Sequence, residues 1–129
     1  MMIYLDTSVA LAALLAESRR PAPGLWSHVL VSSRLLQYEI MNRINARRCE
    51  PAQLEAARAL IDGVDLLGLQ PEILNRALRP FPQAVRTLDA LHLASMEFLR
   101  GLGQPLELAS YDLRLNAAAQ ALGFPLAAI

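Results

Sequence analysis

Four carboxylates at the margins of apolar segments are where this chain can do chemistry: Asp6 in IYLDTSVA, Glu39 in LLQYEIMNR, Asp89 in TLDALHLAS and Asp112 in ELASYDLRL. An ionised carboxylate beside a core is costly unless it is paired or bound to a cation. Gathered by a fold, four such groups line an oxygen-rich pocket suited to Mg²⁺ or Mn²⁺ and to phosphodiester hydrolysis. Each also has a structural reading. Asp6 and Asp112 stand where helix N-caps stand, and Asp89 falls in a first helical turn, where the macrodipole favours an acid. Glu39 precedes Arg43 by one turn, the spacing of an exposed ion pair.

Other polar and aromatic residues read more plainly. His92 lies three residues after Asp89 on about the same helix face, but hard cations prefer oxygen, so a packed, hydrogen-bonded histidine is expected. His28 has no acidic neighbour in sequence. Trp26 and Tyr38 are expected to pack in a core or interface rather than to stack bases. Arg43, Arg47, Arg48, Arg86 and Arg114 suit surface ion pairs or nucleic-acid phosphates, and Arg114 is favoured for the second role because it stands two residues from Asp112.

Short apolar strands alternating with helices must position the acids. Strands are expected at Met2–Leu5, Val29–Ser32, Val64–Leu69 and Leu106–Ala109, with an edge strand at Pro125–Ala128. Helices are expected at Val9–Ala16, capped by Thr7 or Ser8, and at Leu25–Leu30. A longer one runs over Arg34–Arg48 with Ser32 or Ser33 as cap, followed by Pro51–Gly63 and Pro71–Leu78. Thr87–Arg100 is stopped by Gly101 and Gly103, and Leu113–Leu122 by Gly123. This alternation predicts a parallel sheet covered on both faces, with ligands beyond the carboxyl ends of its strands. Asp6 and Asp112 fall at two such ends.

Composition narrows the class. The 129 residues fit one domain, and 54% are hydrophobic. No apolar run reaches the roughly 20 residues of a membrane span, and the amino terminus lacks the basic start of a signal peptide. Cys49 is alone, so neither an internal disulfide nor a cysteine metal site is expected. A cytoplasmic protein without membrane contact follows as the expectation. Twelve acidic residues offset twelve basic ones, so no net field draws in nucleic acid. All the basic residues are Arg, which either phosphate recognition or a GC-rich genome explains. Without Lys, a P-loop signature is impossible, and receiver domains and haloacid-dehalogenase-like phosphatases are disfavoured. The latter also want an Asp where Ser8 stands.

Taken together, the four contexts resemble a PIN-domain ribonuclease, specifically the VapC-type toxins of bacterial and archaeal toxin–antitoxin pairs. The likeness runs nearly end to end: Asp6-Thr7-Ser8 after the opening strand, the helix around Glu39, the stretch Arg86 to Ala94, and Ser110-Tyr111-Asp112 followed by Arg114-Leu115. The resemblance implies a PIN-like three-layer α/β sandwich with a parallel four- to five-stranded sheet. It also implies that Asp6, Glu39, Asp89 and Asp112 are catalytic and bind one or two Mg²⁺ or Mn²⁺ ions for hydrolysis of RNA. Ser8, Ser110 and Arg114 would support them, although either serine also reads as a cap. The implied partners are an RNA substrate, a VapB-like antitoxin and a second copy in a homodimer. Two alternatives stay open, a PIN-type nuclease acting on DNA and a catalytically silent PIN-like module that only binds a partner protein.

Overall fold

The computed structural model describes residues 1–129. Four strands, β1 (Met2–Leu5), β2 (Val29–Ser33), β3 (Asp65–Leu67) and β4 (Leu106–Ala109), form one parallel sheet in the order β3-β2-β1-β4. Six helices flank it: α1 (Thr7–Leu14), α2 (Leu35–Ala46), α3 (Pro51–Asp62), α4 (Pro71–Ala77), α5 (Thr87–Gly101) and α6 (Leu113–Ala121). The chain builds outward from β1 to β3 and then returns to place β4 on the other side of β1. The β1/β4 boundary is therefore the topological switch point, where open α/β sheets bind ligands.

The period-two alternation of the strands sorts the core into two layers. Ile3 and Leu5 pack with Val9, Leu36, Ile40 and Ile44 beneath α1 to α3, whereas Tyr4 and Val31 pack with Leu93, Met96, Leu115 and Phe124 beneath α5 and α6. Several sequence expectations shift. The fifth strand at Pro125–Ala128 shrinks to one bridge, Leu108 to Leu126, because Pro125 has no N–H to continue a ladder. The helix expected at Leu25–Leu30 is a 3₁₀ turn over Pro23–Ser27, begun by Pro23 and followed at once by β2. The strand expected at Val64–Leu69 narrows to Asp65–Leu67.

Capping differs as well. Of the caps expected for α1, Asp6 serves rather than Thr7 or Ser8, and the helix begins at Thr7 and ends at Leu14. Ser33 accepts the backbone N–H of Leu35 at 3.1 Å, while Ser32 stays in the sheet and donates to the Leu5 carbonyl at 2.9 Å. Gly101 closes α5, and Gly103 turns the chain at φ 85°, a conformation that suits glycine. Trp26 and Tyr38 lie outside the core, 37% and 65% exposed, so of the packing expected in a core or an interface the core half is corrected.

The loop that carries Arg86 toward the sheet is anchored upstream. Arg76 pairs with Glu97 at 2.9 Å, donates to the Arg79 and Pro80 carbonyls, and lies over the Phe81 ring at 3.9 Å. One half-buried guanidinium thus ties α4, α5 and the Pro80–Pro82 turn together.

Candidate active site

Parallel pairing of β1 with β4 sets Leu5 against Ala109, so the residues that follow each strand emerge side by side. The Asp6 N–H continues the pairing by donating to the Ala109 carbonyl at 3.0 Å. Two serines then join the strand ends. Asp6 Oδ2 accepts from Ser8 Oγ at 2.6 Å, from Ser110 Oγ at 2.8 Å and from the Ser8 N–H at 3.3 Å. The same hydroxyls accept from the backbone beyond β4, Ser8 Oγ from the Tyr111 N–H and Ser110 Oγ from the Asp112 N–H, both at 2.9 Å. Three donors on Oδ2 leave Oδ1 without a protein partner. Asp6 is a cap, and it is also a buried carboxylate with one oxygen to spare.

Asp112 has the same double character. Its Oδ1 caps α6 by accepting from the N–H groups of Arg114 and Leu115 at 3.0 and 3.2 Å, while Oδ2 faces Arg86 Nη2 at 3.5 Å. Asp89 enters from the first turn of α5 and faces Arg86 Nε at 3.7 Å. Burial, then the charges of Asp112 and Asp6, raise its carboxyl above the usual aspartate range against the opposing pull of Arg86 and His92. Clustered like charges in a partly dry site act this way.

Glu39 reaches the site from α2 through a contact that sequence spacing does not reveal. It makes no ion pair with Arg43. Its Oε1 instead lies 2.7 Å from His92 Nε2, and His92 Nδ1 lies 2.7 Å from Tyr4 Oη, which also accepts the Ser33 N–H at 3.1 Å. The His92 ring is 1% exposed. Burial disfavours an imidazolium, yet the Tyr4 oxygen and the Glu39 carboxylate outweigh that and push its pKa up to about 10. In the protonated ring both nitrogens donate, one to each partner. The expected packed, hydrogen-bonded histidine is thus present, and it holds Glu39.

All four acids line one open pocket of about 890 Å³, with Ser8 and Tyr111 in the same wall. Glu17 and Arg19 join from the loop after α1, Arg43 from α2 and Arg86 from the start of α5, so five carboxylates face three guanidiniums. Arg19 lies over the Tyr111 ring at 5.0 Å. Arg114 is exposed and does not line the pocket; its backbone N–H serves the Asp112 cap while Arg86 takes the place beside the acids. The Arg86/Asp89 spacing of three residues was a readable sign of this. Glu17 and Arg19 carried none, since they return to the site through a turn at Ala16 with φ 51°. No three acidic, histidine or cysteine side chains close into a cage around one point.

One consequence concerns stability. A carboxyl raised in the folded state contributes stability that is fully present below its unfolded pKa and is lost as pH rises through the folded value. Above the folded value the charge on Asp89 therefore counts against the fold. Asp89→Asn, which removes that charge, is expected to raise the melting temperature. Calorimetry of both proteins checks this; a lower melting temperature in the variant would contradict it.

Comparison with known proteins bears on the family and the fold. The PIN domain family matches residues 3–121. Ribonuclease VapC47 of Mycobacterium tuberculosis is 32% identical over 130 residues, covering 95% of this chain and 93% of the relative. Ribonuclease VapC46 of the same species is 35% identical over 125 residues, covering 94% and 92%. In structure the chain is similar to M. tuberculosis VapC20, described as a Sarcin-Ricin loop cleaving toxin, with a TM-score of 0.68, 24% identity and coverage of 90% and 94%. It is also similar to a toxin-antitoxin complex from Klebsiella pneumoniae, with a TM-score of 0.65, 16% identity and coverage of 92% and 93%. These two likenesses bear on the fold, which is the PIN-like parallel α/β sandwich.

The chain belongs to the PIN-domain family. Within it, the chain falls with the VapC-type ribonucleases, hydrolases by class.

Proposed function

We propose that this protein is a metal-dependent endoribonuclease, the toxin of a toxin–antitoxin pair, and that it hydrolyses RNA phosphodiester bonds at Asp6, Glu39, Asp89 and Asp112. The observation that carries this reading is that these four acids, drawn from two strand ends and two helices, line one pocket at the switch point of the sheet.

The donor set suits a hard cation. It is all oxygen, and the buried hydroxyls of Thr7 and Tyr111, both residues of the pocket wall, have no hydrogen-bond partner. Mg²⁺ keeps several waters and takes only one or two carboxylates besides substrate oxygens, so an open pocket without a closed cage fits it, with Mn²⁺ as substitute. Asp6 through its free Oδ1, together with Asp112 and Asp89, would hold the ion, with Glu39 held at the edge by His92. When bound, the cation polarises the phosphate and makes hydroxide available near neutral pH. The chain supplies the rest. Ser8 and Ser110 fix the angle of Asp6, and Arg19, Arg43 and Arg86 present planar donors to RNA phosphates at the rim.

Partners follow from the same reading: an RNA substrate, a VapB-like antitoxin, and a second copy in a homodimer, in the cytoplasm. Large side chains left in solvent, Leu78, Leu113 and Tyr38 among them, supply apolar surface for protein partners. No helix is long and apolar enough to cross a membrane.

The test is incubation of the purified protein with total RNA and with DNA in Mg²⁺, in Mn²⁺ and in EDTA. Cleavage of RNA that disappears in EDTA is expected. Cleavage confined to DNA would favour a DNA-directed nuclease of this fold. No cleavage of either would favour a silent binding module, and RNA cleavage undiminished in EDTA would sink the metal assignment.

A further inference from the structure

We propose that Arg86 is a displaceable counter-ion of the site: it bridges Asp89 and Asp112 until a divalent cation takes those carboxylates, and once released it binds the phosphate of the RNA. This deepens the metal-nuclease reading above and rests on it. Arg86 stands just before α5 in extended backbone, φ −77° and ψ 164°, so its side chain leaves from the loop and meets acids on two different elements. Both contacts are long, 3.5 Å to Asp112 and 3.7 Å to Asp89, and the guanidinium is 66% exposed while the acids are 28% and 14% exposed.

Exposed pairs of this kind are weak, so exchange is easy. Asp112 is held through its other oxygen by the α6 cap and would stay in place when Arg86 leaves. Two carboxylates that share one singly charged fork can share one doubly charged ion, with the stronger attraction at the drier positions. Of the three pocket arginines, Arg86 alone pairs with any of the four acids. Release would leave a cation with five N–H donors at the pocket mouth, where a phosphate arriving at the ion must pass.

The experiment compares the wild-type chain with Arg86→Gln and Arg86→Lys. Mn²⁺ affinity is read by titration calorimetry, and RNA affinity by anisotropy in Mn²⁺ with a mixed-sequence phosphorothioate RNA that resists cleavage. Arg86→Gln is expected to bind Mn²⁺ roughly 3–10-fold more tightly, because a competitor for the carboxylates is gone. It should bind the RNA roughly 5–10-fold more weakly, with a salt dependence lower by about one phosphate contact. Arg86→Lys, which keeps the charge without the fork, should fall between. Thermal melts of both variants check that the fold is intact. A wild type that binds Mn²⁺ together with an Arg86→Gln that binds it equally or less well overturns the counter-ion role and leaves the site reading standing. Unchanged RNA affinity overturns the phosphate role. A wild type that neither binds Mn²⁺ nor cleaves RNA overturns the site reading, and this proposal with it.

Discussion

RNA cleavage by Asp6→Asn should fall about 100-fold or more while the melting temperature barely moves. The amide oxygen can take the place of Oδ2 and keep all three donors, the Ser8 and Ser110 hydroxyls and the Ser8 N–H. The cap of α1 and the join between β1 and β4 therefore survive. What changes is the other position, where a neutral NH₂ replaces the free, charged Oδ1. Losing one anionic ligand removes several kcal/mol of stabilisation that the cation gives the transition state, and each 1.36 kcal/mol is about tenfold in rate. Asp6→Ala is the informative contrast, since it also loses the cap, worth about 1 kcal/mol, and removes the acceptor shared by the Ser8 and Ser110 hydroxyls. Initial rates on one RNA substrate and calorimetric melts of the three proteins separate the two effects. An Asp6→Asn protein with near wild-type rate would mean that Asp6 is a cap alone.

The second large effect is expected at His92, far from any role its neighbour Asp89 suggests. His92→Leu keeps the volume of a fully buried ring but removes its bonds to Tyr4 and Glu39. Breaking a buried pair by deleting one partner leaves the other uncompensated, and about 2–4 kcal/mol of stability should go at pH 7. The pH dependence gives the signature. Because the folded pKa is raised from 6.5 to about 10, the stabilisation is fully present below pH 6.5, declines above it and is lost as pH rises through about 10. The gap between wild type and His92→Leu in urea unfolding should therefore be widest at pH 6 and narrow steadily toward pH 10. A gap that does not change with pH would show that the ring acts only by packing. Cleavage should also drop roughly 10–100-fold, the usual result of removing the group that orients a site carboxylate.

The sequence made half of this site legible, for physical reasons. Asp6 and Asp112 could be placed because each follows a short apolar strand, and parallel strands expose their carboxyl ends on one edge. Their capping was equally readable, and in the structure each caps its helix through one oxygen and keeps the other out of the cap. Glu39 was harder. Its spacing to Arg43 suggested a surface pair, but its partner is His92, 53 residues away, and only the packing of α2 and α5 about Tyr4 joins them. Arg114 looked nearer the chemistry than Arg86 because two residues of sequence separated it from Asp112. On α6 those two residues carry its side chain out to solvent, while Arg86 arrives from a loop. Pro125 and the Pro23 turn altered element boundaries without touching the site, as expected where local backbone chemistry overrides an apolar run.

Four carboxylates from separate elements are proposed to make one divalent-cation site. Anomalous diffraction from a crystal soaked in Mn²⁺, at a concentration that supports RNA cleavage, tests it most directly. An anomalous peak is expected in this pocket, within coordination distance of Asp6 Oδ1 and of Asp89 or Asp112, with the Arg86 guanidinium moved off both acids. An empty pocket at that concentration, or an ion bound only elsewhere, would contradict it.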